Sequence, residues 1–444
     1  MITKFKKLLR QEEFLSFAGN LSYAALGFIS FVLLTRSFDK TIFGQWVLFV
    51  TTASFIEMFR FGLTRTAMVR FLAGADIERQ KSLIGSNWLI GIIVSGIIII
   101  PVFIINYLFK SEIEASGFGL FFEWYPLLAI VTLPFNNALT VLQAQLAFGK
   151  ILILRIFNII FFDLFLILNL FLWKFDVSIV VYAFLFFNLF TSLLSLIKGW
   201  DGIKYLFKST KETSKEIFHF GKFTLATLIG SNILKSADAF IIGLSPILGA
   251  EGVALYSVPL KLTEVMEIPL RSMAATSFPK MAKASSENNL NKVRDLFYTY
   301  TGALTLLFIP FSIFNFVFAD FFVQILGGKQ YLSTAIIYQA FCIYGLILPL
   351  DRFTGVGLDT LNLPKYNMYK VIFMVVSNII GDLIAVFVFE SIFGVALITI
   401  LMTLVGILIG NYYFNKSIPF NYSMVFKSGW LFYKNLYTTK ILKH

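Results

Sequence analysis

Twelve stretches of about twenty mainly apolar residues, each ended by polar or charged ones, leave this 444-residue chain few ways to fold. They fall near residues 14–35, 43–66, 82–107, 120–148, 151–173 and 177–198, with the weakest junction near Gly149. After a polar gap they resume near 217–245, 252–279, 296–319, 331–360, 366–389 and 392–415. Helices of this length cross the roughly 30 Å hydrocarbon layer of a bilayer, where no water can satisfy backbone N–H and C=O groups. Composition agrees, with 58% of residues hydrophobic and 14% charged, where a soluble surface needs roughly 25% charged. The 53 Phe and 18 Tyr suit lipid-facing and headgroup-depth positions. The expected fold is all-α and integral to the membrane, with about 12 transmembrane helices in two six-helix bundles.

An even number of spans puts both termini on one side, and the distribution of Lys and Arg chooses which. Twenty-five loop and flanking cations share that side, among them Lys4, Arg79, Lys150, Lys204, Lys283, Lys370 and Lys427. The other side holds five, Arg36, Lys40, Lys110, Lys174 and Lys329. Both termini are therefore expected in the cytoplasm, and most of the +12 net charge encodes orientation rather than nucleic-acid binding. The first apolar stretch contains Asn20, Ser22 and Tyr23 and lacks a small-residue cleavage site, so it is expected to be a retained helix. A single cysteine, Cys342, and two distant histidines, His219 and His444, offer no disulfide, metal cluster or His-based catalytic set. No cofactor motif is present.

The longest inner connection, Lys198 to Glu216, divides the chain by pattern into a six-helix bundle over 1–200, a basic cytoplasmic linker over 201–216 and a second bundle over 217–416. Residues 417–444 form a basic tail with Trp430, Phe432, Tyr433 and Tyr437, expected to lie at anionic headgroups. The halves repeat one arrangement. Gly44 opens a span with Glu57, Arg60 and Arg65, and Gly252 opens one with Glu264, Glu267 and Arg271. Six spans per half make this a parallel repeat, an organisation used by transporters whose halves rock.

Charges inside the spans carry the functional argument, because each costs about 2.5–3.5 kcal/mol at mid-bilayer and needs a cavity or a partner. Glu57, Arg60 and Thr64 fall on one narrow stripe of the second span. Ser231, Lys235 and Asp238 share a stripe of the seventh, with Asn232 beside it. The eighth has Lys261, Glu264, Glu267 and Arg271 on one face, at spacings that form ion pairs along a helix. The tenth has Asp351, Arg352, Gly355, Gly357 and Asp359, a composition suggestive of a broken helix, and Asp163 and Asp382 stand alone. Such charges either tie helices together as buried ion pairs or line a hydrated cavity bounded by spans 1, 2, 7 and 8. In the second case Arg60, Lys235, Lys261 and Arg271 suit an anionic headgroup such as pyrophosphate. Glu57, Asp238, Glu264 and Glu267 would be their partners or ion-coupling acids. Asn20, Tyr23, Asn136 and Asn137 would bond sugar hydroxyls or act as interhelical glue.

Three segments, FLSFAGN from Phe14, LLTRSFDKTIFGQW from Leu33 and EMFRFGLTRTAMVRF from Glu57, resemble the N-terminal spans of bacterial Wzx-type polysaccharide flippases of the MATE-like MOP superfamily. The segment YSVPLKLTEVMEIPLRSMAATSFPKMAK from Tyr256 resembles their eighth span. The resemblance implies a MATE-like fold. It also implies export of an undecaprenyl-pyrophosphate-linked oligosaccharide repeat unit from the inner to the outer leaflet, for O-antigen, capsule or exopolysaccharide. The lipid-linked oligosaccharide and the bilayer would be its partners, along with polysaccharide polymerase machinery, in a bacterial inner membrane. A multidrug or small-molecule exporter of the same superfamily is the nearest rival, but spans 2, 7 and 8 hold five cations against four acids, which does not favour cationic cargo. A major-facilitator transporter would need a loop signature of which Gly74 to Arg79 is only a faint echo. A lipid-linked glycan polymerase or ligase would need a large outer loop, and the longest, Phe109 to Glu123, is short. A transporter rather than an enzyme is therefore expected. Intramembrane charge on this scale also argues against a pure scaffold.

Overall fold

The computed structural model describes residues 12–72, 75–419 and 421–441, with side chains except at 12–20, 223, 224, 226, 227, 230, 231, 234, 235, 436 and 439–441. Twelve long helices follow one another: α1 Glu12–Ser37, α2 Lys40–Leu72, α3 Ile77–Leu108, α4 Gly119–Ala144, α5 Phe148–Leu168 and α6 Val177–Ile197. The series continues with α7 Lys211–Gly243, α8 Gly249–Ser286, α9 Leu290–Val317, α10 Ala335–Thr360, α11 Pro364–Phe387 and α12 Ile392–Asn415. A further helix, α13, covers Tyr422–Ile441. No strand occurs among the described residues. Side chains just ahead of the helices take up otherwise orphaned N–H groups: Asp76 caps α3, Asp176 caps α6, Thr210 caps α7, Asn289 caps α9 and Ser391 caps α12.

Among the described residues, nine of these helices are long and apolar enough to cross a membrane on composition alone, α2–α6 and α9–α12. α1 contributes a shorter apolar stretch, Leu21–Ser37. The other two expected spans, α7 and α8, are those in which charge interrupts the apolar run. α8 has 38 residues and three internal prolines, Pro259, Pro269 and Pro279; at 1.5 Å per residue it is about 57 Å long, well beyond the hydrocarbon layer.

Two expectations shift in detail. The break between the fourth and fifth spans comes at Gln145–Ala147, where Leu146 adopts a φ of +56°, and Gly149 lies inside α5. The tenth span is not broken, since α10 runs continuously through Gly355 and Gly357.

The chain packs as two compact units, Met1–Ala254 and Leu255–His444, the division falling within α8. This partition follows packing, whereas the six-plus-six pattern of the sequence follows a repeat of spans. α7 packs in the first unit along α2, so closely that a Cβ on Gly221 would sit 1.7 Å from the Leu63 carbonyl oxygen. Only glycine permits that approach of backbones. The linker is ordered there too: Ile203–Lys208 forms a short 3₁₀ turn on α3, and the Trp88 indole donates to the Asp201 carbonyl at 2.8 Å. The core of this unit gathers Leu63, Met68, Leu83, Trp88, Val141 and Ile217.

In the second unit Met266, Phe297, Phe308, Phe353 and Phe414 form the core between α8, α9, α10 and α12. α13 is part of this unit rather than a free tail. A Cβ on Gly302 of α9 would lie 2.0 Å from the Val425 carbonyl oxygen, and Tyr433 donates to the Ala303 carbonyl at 2.9 Å. The opposite face of α13 exposes Lys427, Trp430, Lys434 and Tyr437.

Candidate functional site

In the first unit the charges of α2 are enclosed. Arg60 is 0% exposed, and its guanidinium donates to the Ser95 hydroxyl at 2.8 and 3.0 Å, to the Ala129 carbonyl at 2.7 Å and to Glu57. Glu57 also accepts from the Tyr125 hydroxyl at 3.1 Å and from the Asn136 amide at 3.3 Å, while its own side chain is 21% exposed. One arginine thus joins α2, α3 and α4 through a set of planar donors that lysine could not supply. Arg65 donates to Gln143 at 2.9 Å, Asn87 to Asn137, and the Arg155 guanidinium lies 5.4 Å over the Tyr23 ring. Asp238 is buried on α7. The side chains of Asn20, Ser231 and Lys235 lie outside the described residues. Asp163 accepts from Ser30 on α1 at 2.5 Å, and wholly buried Asp382 accepts from Asn378 one turn earlier at 2.6 Å.

In the second unit Glu264, Glu267 and Arg271 of α8 are open, while Lys261 is mostly covered, with 19% of its side chain exposed. Lys261 donates to Glu264 at 2.8 Å, and Arg271 pairs with Glu267. Glu264, Ile268, Arg271, Ala275 and Phe278, at helical spacing, make one exposed stripe. Arg271 is 62% exposed. It opens onto a cavity of about 480 Å³ walled by α8, α10 and α11, where Arg352, Lys370, Asp351 and Asp359 also line the space. Lys370 is 3% exposed and holds Asp351 through its carboxylate at 2.5 Å and its backbone carbonyl at 3.0 Å. Asn367 donates to both oxygens of Asp359, at 2.9 and 3.0 Å. Gly355 keeps the wall bare, since a Cβ there would come 3.2 Å from the Asn367 side-chain oxygen.

The structure therefore brings Arg60 and Glu57 together inside one unit, and pairs Lys261 with Glu264 and Glu267 with Arg271 along α8 of the other, where Glu264 and Arg271 are exposed and Lys261 is mostly covered. Sequence reasoning passed over Lys370, counted with the orientation charges, and gave Arg352 no role. A signal was present: Asp351, Asp359 and Lys370 flank the hairpin between the tenth and eleventh spans, and three charges so placed seldom all face lipid. Among the described residues no group of three or more His, Cys, Asp or Glu side chains is arranged to hold a metal ion.

Comparison with known proteins places the chain. The pattern of the polysaccharide biosynthesis protein family matches residues 33–336. The "Probable low-salt glycan biosynthesis flippase Agl15" of Haloferax volcanii is 23% identical over 431 residues, 96% of this chain and 87% of that protein. Among solved structures, an inward-facing multidrug resistance MATE family transporter of the MOP superfamily superposes with a TM-score of 0.73 at 16% identity, covering 88% of this chain and 94% of that one. The lipid II flippase MurJ in an inward closed conformation gives 0.70 at 16% identity, covering 97% and 93%. The fold is MATE-like, the chain is a multi-pass membrane protein, and it belongs to the polysaccharide biosynthesis protein family.

Proposed function

We propose that the protein carries a lipid-linked oligosaccharide from the inner to the outer leaflet of the cytoplasmic membrane, as a flippase of surface polysaccharide synthesis. The exposed charged stripe of α8 carries this reading. A lipid headgroup with phosphates and sugars cannot cross hydrocarbon bare, because each buried charge or unpaired hydroxyl costs several kcal/mol. A helix face that presents Arg271 beside Glu264 and Glu267, with Lys261 held partly covered by Glu264, replaces the water that such a headgroup would lose. Its acids hold the cations in place while the site is empty, and a pyrophosphate can exchange for them, since guanidinium binds phosphate oxygens bidentately. The flippase names of the archaeal relative and of MurJ support the same cargo class.

In this reading Arg60 acts as the fixed partner of Glu57 rather than as a headgroup contact, because its donors are spent. Glu57 and Asp238 are assigned to ion coupling. Transport makes and breaks no covalent bond, so no catalytic group is required. The excess of inner-side Lys and Arg supports cytoplasmic termini.

The test is reconstitution of the full chain in liposomes with a fluorescent lipid-linked glycan, followed by a membrane-impermeant quencher. Wild-type protein should make the inner-leaflet pool accessible, and a variant with Lys261→Ala and Arg271→Ala should do so far more slowly. Equal accessibility with and without wild-type protein would overturn the reading.

A further inference from the structure

The cavity between α8, α10 and α11 holds side chains that the transport reading does not need. Four charged groups around it are already matched: Lys370 with Asp351, and Arg271 with Glu267. Asn367 occupies both oxygens of Asp359. Arg352 is different. It is exposed and lines the cavity, and although the Asp359 carboxylate is near enough to attract it, it donates no hydrogen bond to any described residue. A guanidinium inside a transmembrane helix without a bonded partner is costly unless a ligand or water completes it. The wall as a whole has three cations, Arg271, Arg352 and Lys370, against two carboxylates, Asp351 and Asp359. Its chemistry is therefore anion-accepting on the arginine side and hydroxyl-bonding on the Asp359–Asn367 side.

Position adds a second constraint. Arg352 stands eight residues before the end of α10, and Lys370 six residues after the start of α11, so both lie about 9–12 Å inside their helix ends. In the orientation proposed above, those ends are cytoplasmic. That depth suits the phosphates of a lipid carrier whose chain lies in the inner leaflet. The volume of about 480 Å³ falls within the roughly 300–1,000 Å³ of small-ligand sites, enough for a pyrophosphate and the first sugar and too little for a whole oligosaccharide.

We propose that this cavity is the loading site for the pyrophosphate end of the cargo, with Arg352 as the residue that reads it and Asp359–Asn367 as the pair that bonds the first sugar. Arg271 contributes from the α8 wall once its pair with Glu267 opens. The proposal rests on the flippase reading for its cargo class and its orientation.

Full-length protein in nanodiscs is titrated with farnesyl pyrophosphate, a short polyprenyl pyrophosphate, and the same titration is run on R352A, R352K and R271A. Loss of a charge-assisted hydrogen-bond donor should weaken binding by about tenfold or more in R352A, with part of the affinity kept in R352K. Inorganic pyrophosphate should compete, whereas phosphatidylglycerol at the same concentration should not, which separates the pyrophosphate group from an ordinary lipid headgroup. R352K retains the charge and serves as the folding control, checked by its unfolding temperature. Wild-type affinity in R352A, or equal displacement by phosphatidylglycerol, overturns the loading site. If that happens while the liposome assay still shows flipping, the functional reading stands and only the site falls. Pyrophosphate binding that depends on Arg352 without any flipping has the opposite meaning.

Discussion

The charged pairs of α2 and α8 are built from the same residue types at similar offsets in the two halves, yet the fold treats them in opposite ways. Arg60 is wholly enclosed, and its guanidinium is held by Ser95, Glu57 and the Ala129 carbonyl and lies 4.9 Å over the Phe61 ring. Arg271 keeps one acidic partner on its own helix and is otherwise open. The difference lies in what the adjacent helices present. α3 and α4 bring Ser95, Tyr125, Asn136 and the Ala129 carbonyl to the α2 pair, while Arg271 of α8 faces a cavity. A buried ion pair with all its donors used is a structural joint, whereas one with donors to spare can take a ligand.

The comparison can be broken most directly at Arg60. Arg60→Ala leaves Glu57 without its cation, and stranding one member of a buried pair costs about 3–5 kcal/mol. We expect little folded protein by size-exclusion chromatography in detergent; a wild-type unfolding temperature would show that the joint is not structural. Arg271→Ala should do the reverse. Its unfolding temperature should stay near wild type, while the flipping rate falls about tenfold, the effect of one lost charge-assisted contact. Parallel loss of stability and transport would erase the distinction between the two clusters.

Gly302→Leu tests a closed contact in the second unit. The new side chain collides with the Val425 backbone, and overpacking of this kind costs about 1–3 kcal/mol. Limited proteolysis should then cut between α12 and α13, and an unchanged cleavage pattern would mean that α13 does not depend on that crossing. The smallest effect is expected at Asp201, a buried carboxylate in the linker that accepts from the Ile203 N–H at 3.0 Å. Burial pushes its carboxyl above the ordinary aspartate range. Its folded state therefore holds the proton more tightly than its unfolded state, and linker attachment should weaken as pH climbs from the ordinary range through the raised value. Asp201→Asn should remove that slope. Hydrogen exchange across residues 198–210 as a function of pH measures it, and equal slopes in both proteins would contradict the assignment.

Much of this molecule is legible in its sequence because hydropathy is a local quantity. The helices and the crowding of charge into spans 2, 7 and 8 follow from the transfer free energy of residues near one another in the chain. The turn at Leu146 was less legible, since a left-handed φ on leucine has no glycine to announce it. Lys370 read as a loop cation because it follows a proline and a polar stretch, and only the packing of α11 on α10 shows it buried against Asp351. The tail read as an interfacial segment from its lysines and aromatic residues, and tertiary structure showed it helical and added the Gly302 contact that seats one of its faces.

The sequence by itself determined that this is a helical membrane protein, which stretches of it are helical, and which of them carry charge. The tertiary structure alone decided which charges are closed and which are open. The cost of a charge in the membrane is a property of the residue, but its compensation comes from groups dozens of positions away, such as Ser95 and Ala129 around Arg60. Where the fold supplies those groups, the pair becomes a joint; where it supplies a cavity instead, as beside Arg271, the pair stays open to the cargo we propose.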